Sequence, residues 1–399
     1  MIVALLIQGA VSLAAGPSPA GSWKAVLDLA GGQLPFGVTI EQQSDRWRGD
    51  LCNGNECQPF SAVQMQGDSL LLEIRDYDAI LKARLQGDSL VGYYHNVGSN
   101  GPRTIPFRAV RGHRHAGIGS KRLLGRWDAT YFQDQGASPR VFEFRNKPYG
   151  FEGRIISTTS DYGPFTGAVA GDSFALGLFD GSFVYLLTGK LQGDTLRGIF
   201  HAGLRTQTPW TAIRSTGATH LKSPAEVTGA DTTQPLQFSF PDLDGRVVTN
   251  DDARFKGKVL LLEVFGSWCP TCHEATPELM RLYRRYQSRG LEIVGLAFEA
   301  TGDTAVDALQ VRRFRDKFGI SFPLLLAGVN DTESLAAALP QLRNLSAFPT
   351  TVFIGRDGRV RRVHAGFHGV ATGARHASQV RDFKGEIRRL LQERAKSEE

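Results

Sequence analysis

Residues 268–273 read Trp-Cys-Pro-Thr-Cys-His, with two residues between Cys269 and Cys272. A pair so spaced is suited to thiol–disulfide exchange: one thiolate attacks a disulfide sulfur, and the second thiol resolves the mixed disulfide that forms. Upstream lies a nearly continuous apolar run, residues 259–265. Downstream, residues 270–289 carry Leu279, Leu282, Tyr283 and Tyr286 on one helical face, with Gly290 as a stop. The pair is therefore expected at a helix N-terminus, where unpaired amides and the helix dipole favour an anion. Cys269 is the expected nucleophile, and Cys272, one turn inside, the resolving thiol. Pro270 suits the first helical position, where a missing N–H costs little.

The elements that must position this pair follow from the hydrophobic period. Residues 259–265 read as a strand buried on both faces. A second apolar strand is expected over 291–298, then a helix over 306–318, a short run at 322–326 and a strand over 350–354. An Asp357-Gly358 turn joins that strand to 360–363 as a hairpin. A closing helix over 378–395 carries Val380, Phe383, Ile387, Leu390 and Leu391 on its apolar face. Strands alternating with helices, then a hairpin and a helix, describe an α/β domain of thioredoxin-like fold over residues 236–399.

Three runs carry a family resemblance: Phe265-Gly266-Ser267-Trp268-Cys269-Pro270-Thr271-Cys272, Leu291-Glu292-Ile293-Val294 and Ala347-Phe348-Pro349-Thr350-Thr351. They resemble the TlpA-like thiol-disulfide oxidoreductases of the bacterial envelope, and the resemblance covers residues 236–391. It implies that Pro349 is a cis-proline facing the cysteines and that the Phe348 backbone pairs with an incoming peptide like an added strand. An ordinary trans proline entering a strand is the alternative. Trp268, Pro270, Thr271 and Phe348 become the expected substrate contacts. The resemblance also implies an oxidised protein as substrate, in some relatives apocytochrome c, and a membrane thiol-disulfide electron donor that keeps the pair reduced. No cofactor and no metal is expected.

Glu263 stands six residues before Cys269 inside the apolar strand, where thioredoxin has a buried aspartate. Burial raises the pKa of such a carboxyl, which suits a proton acceptor for Cys272. The alternative is an edge position from which Glu263 reaches solvent. Many relatives carry a glutamate three residues after the second cysteine. Here that place is Ala275, with Glu274 beside it, so Glu263 is the candidate for the role.

Two other chemistries share parts of the motif. Cys269-Pro270-Thr271-Cys272-His273 also spells a c-type haem attachment site with His273 as axial ligand. Against it stand the preceding buried strand and Met280, the only later methionine, which is too near on the same helix to serve as a sixth ligand. A peroxiredoxin-like thiol peroxidase would want a threonine three residues before the attacking cysteine, and Gly266 is there instead.

The first half of the chain shows internal similarity. Gly21-Ser22-Trp23 recurs as Gly125-Arg126-Trp127, and Leu85-Gln86-Gly87-Asp88 as Leu191-Gln192-Gly193-Asp194. Pro106 to Arg111 recurs as Pro209 to Arg214. Short alternating segments between Gly-Asp turns predict two tandem antiparallel β modules, residues 20–112 and 122–215, each closing into a small barrel or sandwich. A Gly-x-Trp opening and the strand count make them lipocalin-like. His95 and His201 occupy equivalent places and read as partly exposed strand histidines or, alternatively, as ligand contacts. Tyr93 and Tyr94 read as rim and core. Cys52 and Cys57 fit a small loop disulfide; a metal pair or second redox pair would lack the extra ligands or helix it needs. The polar stretch 216–235 reads as a linker. The barrels themselves are either a docking or substrate-presenting module or the working part of a binding protein.

The whole chain has 399 residues, enough for two to four domains. Its 41% hydrophobic and 22% charged residues exclude a disordered chain. Net charge is +6 without a long Lys/Arg block, so nucleic acid is not an expected partner. Four cysteines are too few for a disulfide scaffold. Residues 1–15 form an apolar run ending in small residues, with Ser12 and Ala14 as a cleavage site, and read as a signal peptide. The run lacks Lys or Arg at its start, which leaves an uncleaved anchor open. The expected location is periplasmic or secreted.

Overall fold

The computed structural model describes residues 18–98, 101–113, 118–134, 136–217 and 220–393. The leader expected over residues 1–15 lies outside them. Among the described residues no helix is long and apolar enough to cross a membrane.

Residues Gly21 to Arg111 form a nine-stranded sheet that curls until strand Gly32–Gln43 pairs with both Gly21–Leu29 and Arg46–Asn53. That closure makes a ring of eight strands, with Glu56–Pro59 held outside it on Arg46–Asn53. Residues Gly125 to Arg214 form a second closed barrel, of consecutive antiparallel strands. Alternation explains both: along Gly21–Leu29, Trp23, Ala25, Leu27 and Leu29 are buried, the period of two that a one-sided strand requires. The axis of the second barrel is occupied by Trp127, Phe142, Phe144 and Trp210, all buried, with Phe142 set edge-on to Trp210 at 4.9 Å.

One corner is built alike in the two barrels. Trp23 Nε1 donates to Pro19 O and Trp127 Nε1 to Leu123 O, each at 2.9 Å. Arg111 and Arg214 lie opposite these tryptophans on the neighbouring strand, their guanidinium groups 4.5 and 4.0 Å from the ring centroids.

The barrels are locked together by a turn. Phe179, at the end of a strand of the second barrel, is fully buried in the core of the first, 4.7 Å from Phe36 and 4.9 Å from Tyr94. Asn53 brackets it, donating to Phe179 O at 2.7 Å and accepting from Phe179 N at 3.1 Å. His201 differs from its expected partial exposure. It is buried where the first barrel's turn crosses it, and a Cβ on Gly31 would overlap its ring. An interface between barrels, invisible to strand alternation, removes it from solvent. His95 is partly exposed, as expected, beside Thr104 at 3.0 Å. Tyr94 is buried and Tyr93 41% exposed, as core and rim.

The C-terminal domain has a five-stranded sheet in the order Leu324–Val329, Leu291–Glu299, Val259–Phe265, Thr350–Ile354, Val360–Ala365. The first three strands run parallel and the last two antiparallel. Helices Pro270–Tyr286, Thr304–Phe318, Thr332–Ala338 and Ala374–Gln392 surround it. This is the thioredoxin-like fold. The short helix Thr332–Ala338 was not foreseen; Asp331 caps it by accepting from Ser334 N at 2.7 Å.

The stretch expected as a linker, 216–235, is instead strapped down over part of its length. Leu221 packs with Val141 and Ile156 of the second barrel, and Gly229–Ala230 pairs with Leu342–Arg343 of the C-terminal domain. Polar composition hid this because backbone pairing at a sheet edge needs no apolar side chains.

Candidate active site

Every residue of strand Val259–Phe265 is buried. Its end turns through Gly266 to Trp268 into helix Pro270–Tyr286, whose N-cap is Cys269. Pro270 is the first helical residue, as its ring prefers. The Cys272 amide donates to Cys269 Sγ at 3.2 Å, so the helix end is aimed at that sulfur. Both thiols are free; Cys269 is 4% exposed and Cys272 1%. Burial pushes the Cys272 thiol well above its ordinary range, and its hydrogen bond with Cys269, that neighbour's charge and the charge of Glu263 act in the same direction.

The Phe348–Pro349 peptide bond is cis. Cys269 Sγ donates to Phe348 O at 3.6 Å. Trp268 stands edge-on to Phe348 at 5.1 Å and its Nε1 donates to Phe298 O at 2.9 Å. The structure thus gathers Trp268, Cys269 and Phe348 on one face, with Pro349 buried behind them.

Glu263 is buried in the middle strand, between Gly295 on one neighbour and Thr351 on the other, so it does not occupy an edge. Thr351 Oγ1 donates to its Oε2 at 2.7 Å. Burial, only partly offset by that bond, pushes the carboxyl up to about 8. Ala275 is buried, while Glu274 opens into a cavity yet is enclosed by protein, which pushes it up to about 8.

Two further groups brace the turn. Ser267 donates from N and Oγ to Glu299 at 2.8 and 2.6 Å, and burial pushes Glu299 up to about 7. His273 donates from Nε2 to Ser267 O at 2.7 Å and accepts at Nδ1 from Lys317 Nζ at 3.1 Å. A carbonyl can only accept, which sets this tautomer. Burial pushes His273 down to about 4. With both nitrogens engaged inside the core, His273 is not available as a haem ligand. A lone glutamate ending an apolar strand was the available signal for Glu299. Nothing local marked Ser267.

The barrels sit on this face. Tyr77 of the first packs on His273 at 5.0 Å, and Asp76 pairs with Lys317 at 2.6 Å. Ser182 of the second donates to Trp268 O at 2.9 Å. Burial pushes the hydroxyls of Tyr77 and Tyr185 well above their usual range. Residues 157–161, where the first barrel has its cysteine loop, hold the far side. Phe367 N donates to Thr159 O at 2.8 Å and Gly369 N to Asp161 Oδ1 at 2.7 Å. Gly366 is required there, with φ +88° and no room for a Cβ beside the Thr159 carbonyl.

Between the three units lies a cavity of about 350 Å³. Pro270, Thr271 and Glu274 form its C-terminal wall, Tyr77 and Cys57 that of the first barrel, and Asp180 and Phe183 that of the second. Cys57 is joined to Cys52 in a disulfide across adjacent strands.

Comparisons with known proteins match the C-terminal domain. The Redoxin family model matches residues 230–374. The thiol-disulfide oxidoreductase ResA of Halalkalibacterium halodurans is 28% identical over 134 residues, 33% of this chain and 67% of that protein. ResA of Bacillus subtilis is 27% identical over 151 residues, 38% of this chain and 72% of that protein. A thioredoxin-family thiol:disulfide interchange protein from Chlorobium tepidum has a solved structure that is 23% identical, covers 41% of this chain and 99% of its own, and superposes with a TM-score of 0.30. The matches fall on the C-terminal part alone and span roughly two thirds of the length of the curated relatives. Residues 230–374 are a Redoxin domain, and the chain carries a thiol-disulfide oxidoreductase.

Proposed function

We propose that Cys269 and Cys272 reduce disulfides of protein substrates in the bacterial envelope. Cys269 thiolate attacks one substrate sulfur; the substrate S–S bond breaks and its other sulfur leaves as a thiolate that takes up a proton. Cys272 then gives its proton to ionised Glu263 and attacks Cys269 Sγ. The second substrate thiol departs and a Cys269–Cys272 disulfide remains, so two electrons have passed to the substrate. A membrane thiol donor restores the pair.

The observation that carries this reading is the placement of Cys269 Sγ between the Cys272 amide and the Phe348 carbonyl, 3.2 and 3.6 Å away. The amide supports negative charge on the sulfur. The carbonyl marks where an extended substrate backbone pairs, with Trp268, Pro270 and Thr271 flanking it. Glu263, buried and short of partners, is the proton acceptor on the inner side. We read residues 1–15 as the export signal, Cys52–Cys57 as a structural disulfide, and the two barrels as copies of one lipocalin-like unit. Their aromatic interiors support a docking or substrate-presenting role over ligand storage.

The test is reduction of a cyclic disulfide peptide by the purified chain. Wild type turns it over with a thiol donor and Cys269→Ser does not. Equal rates would overturn the reading, and equilibration with glutathione measures the direction of flow.

A further inference from the structure

The barrels do not merely sit near the cysteines; they roof them. Cys269 is 4% exposed, although an exchanging nucleophile must be reached by a sulfur in line with its own. Beside it lie Ser182, tied to the carbonyl of Trp268, and Tyr77, which packs on His273 at 5.0 Å and shares a cavity wall with Trp268. Ser182 belongs to the turn that plugs the first barrel. Phe179 anchors one side of that turn in the first core, and Gln58 donates to Asp180 O at 2.5 Å. Tyr94 OH donates to Gly181 O at 2.8 Å, and Arg103 donates to Ser182 O. Four contacts from one barrel and one from the redox domain thus converge on a short stretch of the other barrel. The space left beside Pro270 and Thr271, about 350 Å³, is near the lower end of cavities that hold small ligands.

We propose that the two barrels make the active site a closed chamber that admits a small or extended disulfide and shuts out the disulfide of a folded protein, and that the turn Asp180-Gly181-Ser182-Phe183 sets this limit. The inference rests on the exchange activity proposed above and names its substrate class. A folded protein can reach Cys269 only after the turn has lifted, and its apparent rate is then scaled down by the fraction of molecules in which it has. A short loop enters with the roof in place.

Gly181 gives a direct handle. Its φ is +94°, and a Cβ there would lie 2.7 Å from Ile74 Cδ1, so Gly181→Ala must shift the turn away from the first barrel. Ser182→Ala is the milder variant, removing only the tie to Trp268. The reduced full chain is mixed with a short cyclic disulfide peptide, and separately with a folded protein whose surface disulfide has the same reduction potential. Wild type is expected to reduce the peptide about 100-fold faster, corresponding to an open population near 1%. Gly181→Ala, or Ser182→Ala if the first variant does not fold, is expected to narrow that gap about tenfold while the peptide rate holds. Like rates for the two substrates in wild type, or a gap unmoved by the folded variants, would overturn the chamber. Failure to reduce even the peptide would overturn the exchange reading, and the chamber with it.

Discussion

Thr351 Oγ1 donates to Glu263 Oε2 at 2.7 Å from the adjacent antiparallel strand, and burial holds that carboxyl near 8, so Glu263 changes charge in the range where thiols do. Glu263→Gln keeps the shape and the contact with Thr351 while losing the basic oxygen. Its mixed disulfide should resolve about 100-fold more slowly at pH 8, within the span of general-base effects, and with a flatter pH dependence. Stopped-flow resolution measured from pH 6 to 9 checks this. A profile identical to wild type would remove Glu263 from the proton path.

The same buried carboxyls make folding stability depend on pH. Glu263 is held near 8 and Glu299 near 7, against an ordinary 4.5. Between pH 6.5 and 8 the unfolded chain has lost these protons and the folded chain still binds them, so stability falls as pH rises. His273 and His364, held near 4 and near 3, are neutral in the folded chain; their unfolded imidazoles are half charged at pH 6.5, so they oppose this trend weakly at its lower end and dominate below it, where acid weakens the fold. Urea midpoints should therefore be lower at pH 8 than at pH 6.5. A rising midpoint would contradict the burial of these groups.

Ser267→Ala removes the hydroxyl donor to Glu299, keeps the backbone donor, and takes away nothing else of size. Leaving a buried carboxyl short of a partner costs about 1–3 kcal/mol. Denaturant unfolding of the variant should show a loss in that range, together with a faster reaction of Cys269 with iodoacetamide as the turn loosens. An unchanged midpoint would show that Glu299 finds water instead.

Cys52 and Cys57 are five residues apart. Closing so short a loop is worth about 2 kcal/mol through the unfolded chain. The double variant Cys52→Ser/Cys57→Ser should lose that much stability, read by urea unfolding, and should keep its exchange with the cyclic peptide. Loss of peptide exchange in the folded variant would instead make this disulfide part of the redox machinery.

How legible the site was depended on how local its causes are. The two ends of the segment 270–290 and the buried strand before it rest on short-range chemistry: a missing N–H at Pro270, an unbroken apolar run and a left-handed Gly290 stop at φ +97°, whereas the Pro349 turn is implied only by the family resemblance. The first three could be read from neighbours in sequence. The roof could not. Tyr77 and Ser182 lie 196 and 86 residues from His273 and Trp268, and nothing in the sequence around them marks them. His201 was misread for the same reason, since its burial comes from the other barrel. Helix Thr332–Ala338 was missed because it is two turns long and depends on a single cap at Asp331.

In the proposed exchange Cys269 attacks and Cys272 releases. Cys272→Ser, mixed with the cyclic disulfide peptide and analysed by intact mass after acid quench, tests it most directly. A covalent adduct of one peptide per chain, mapped to Cys269 by proteolysis, is expected, with no adduct in Cys269→Ser. Adduct formation at Cys272 in the Cys269→Ser protein, or none in Cys272→Ser, would contradict it.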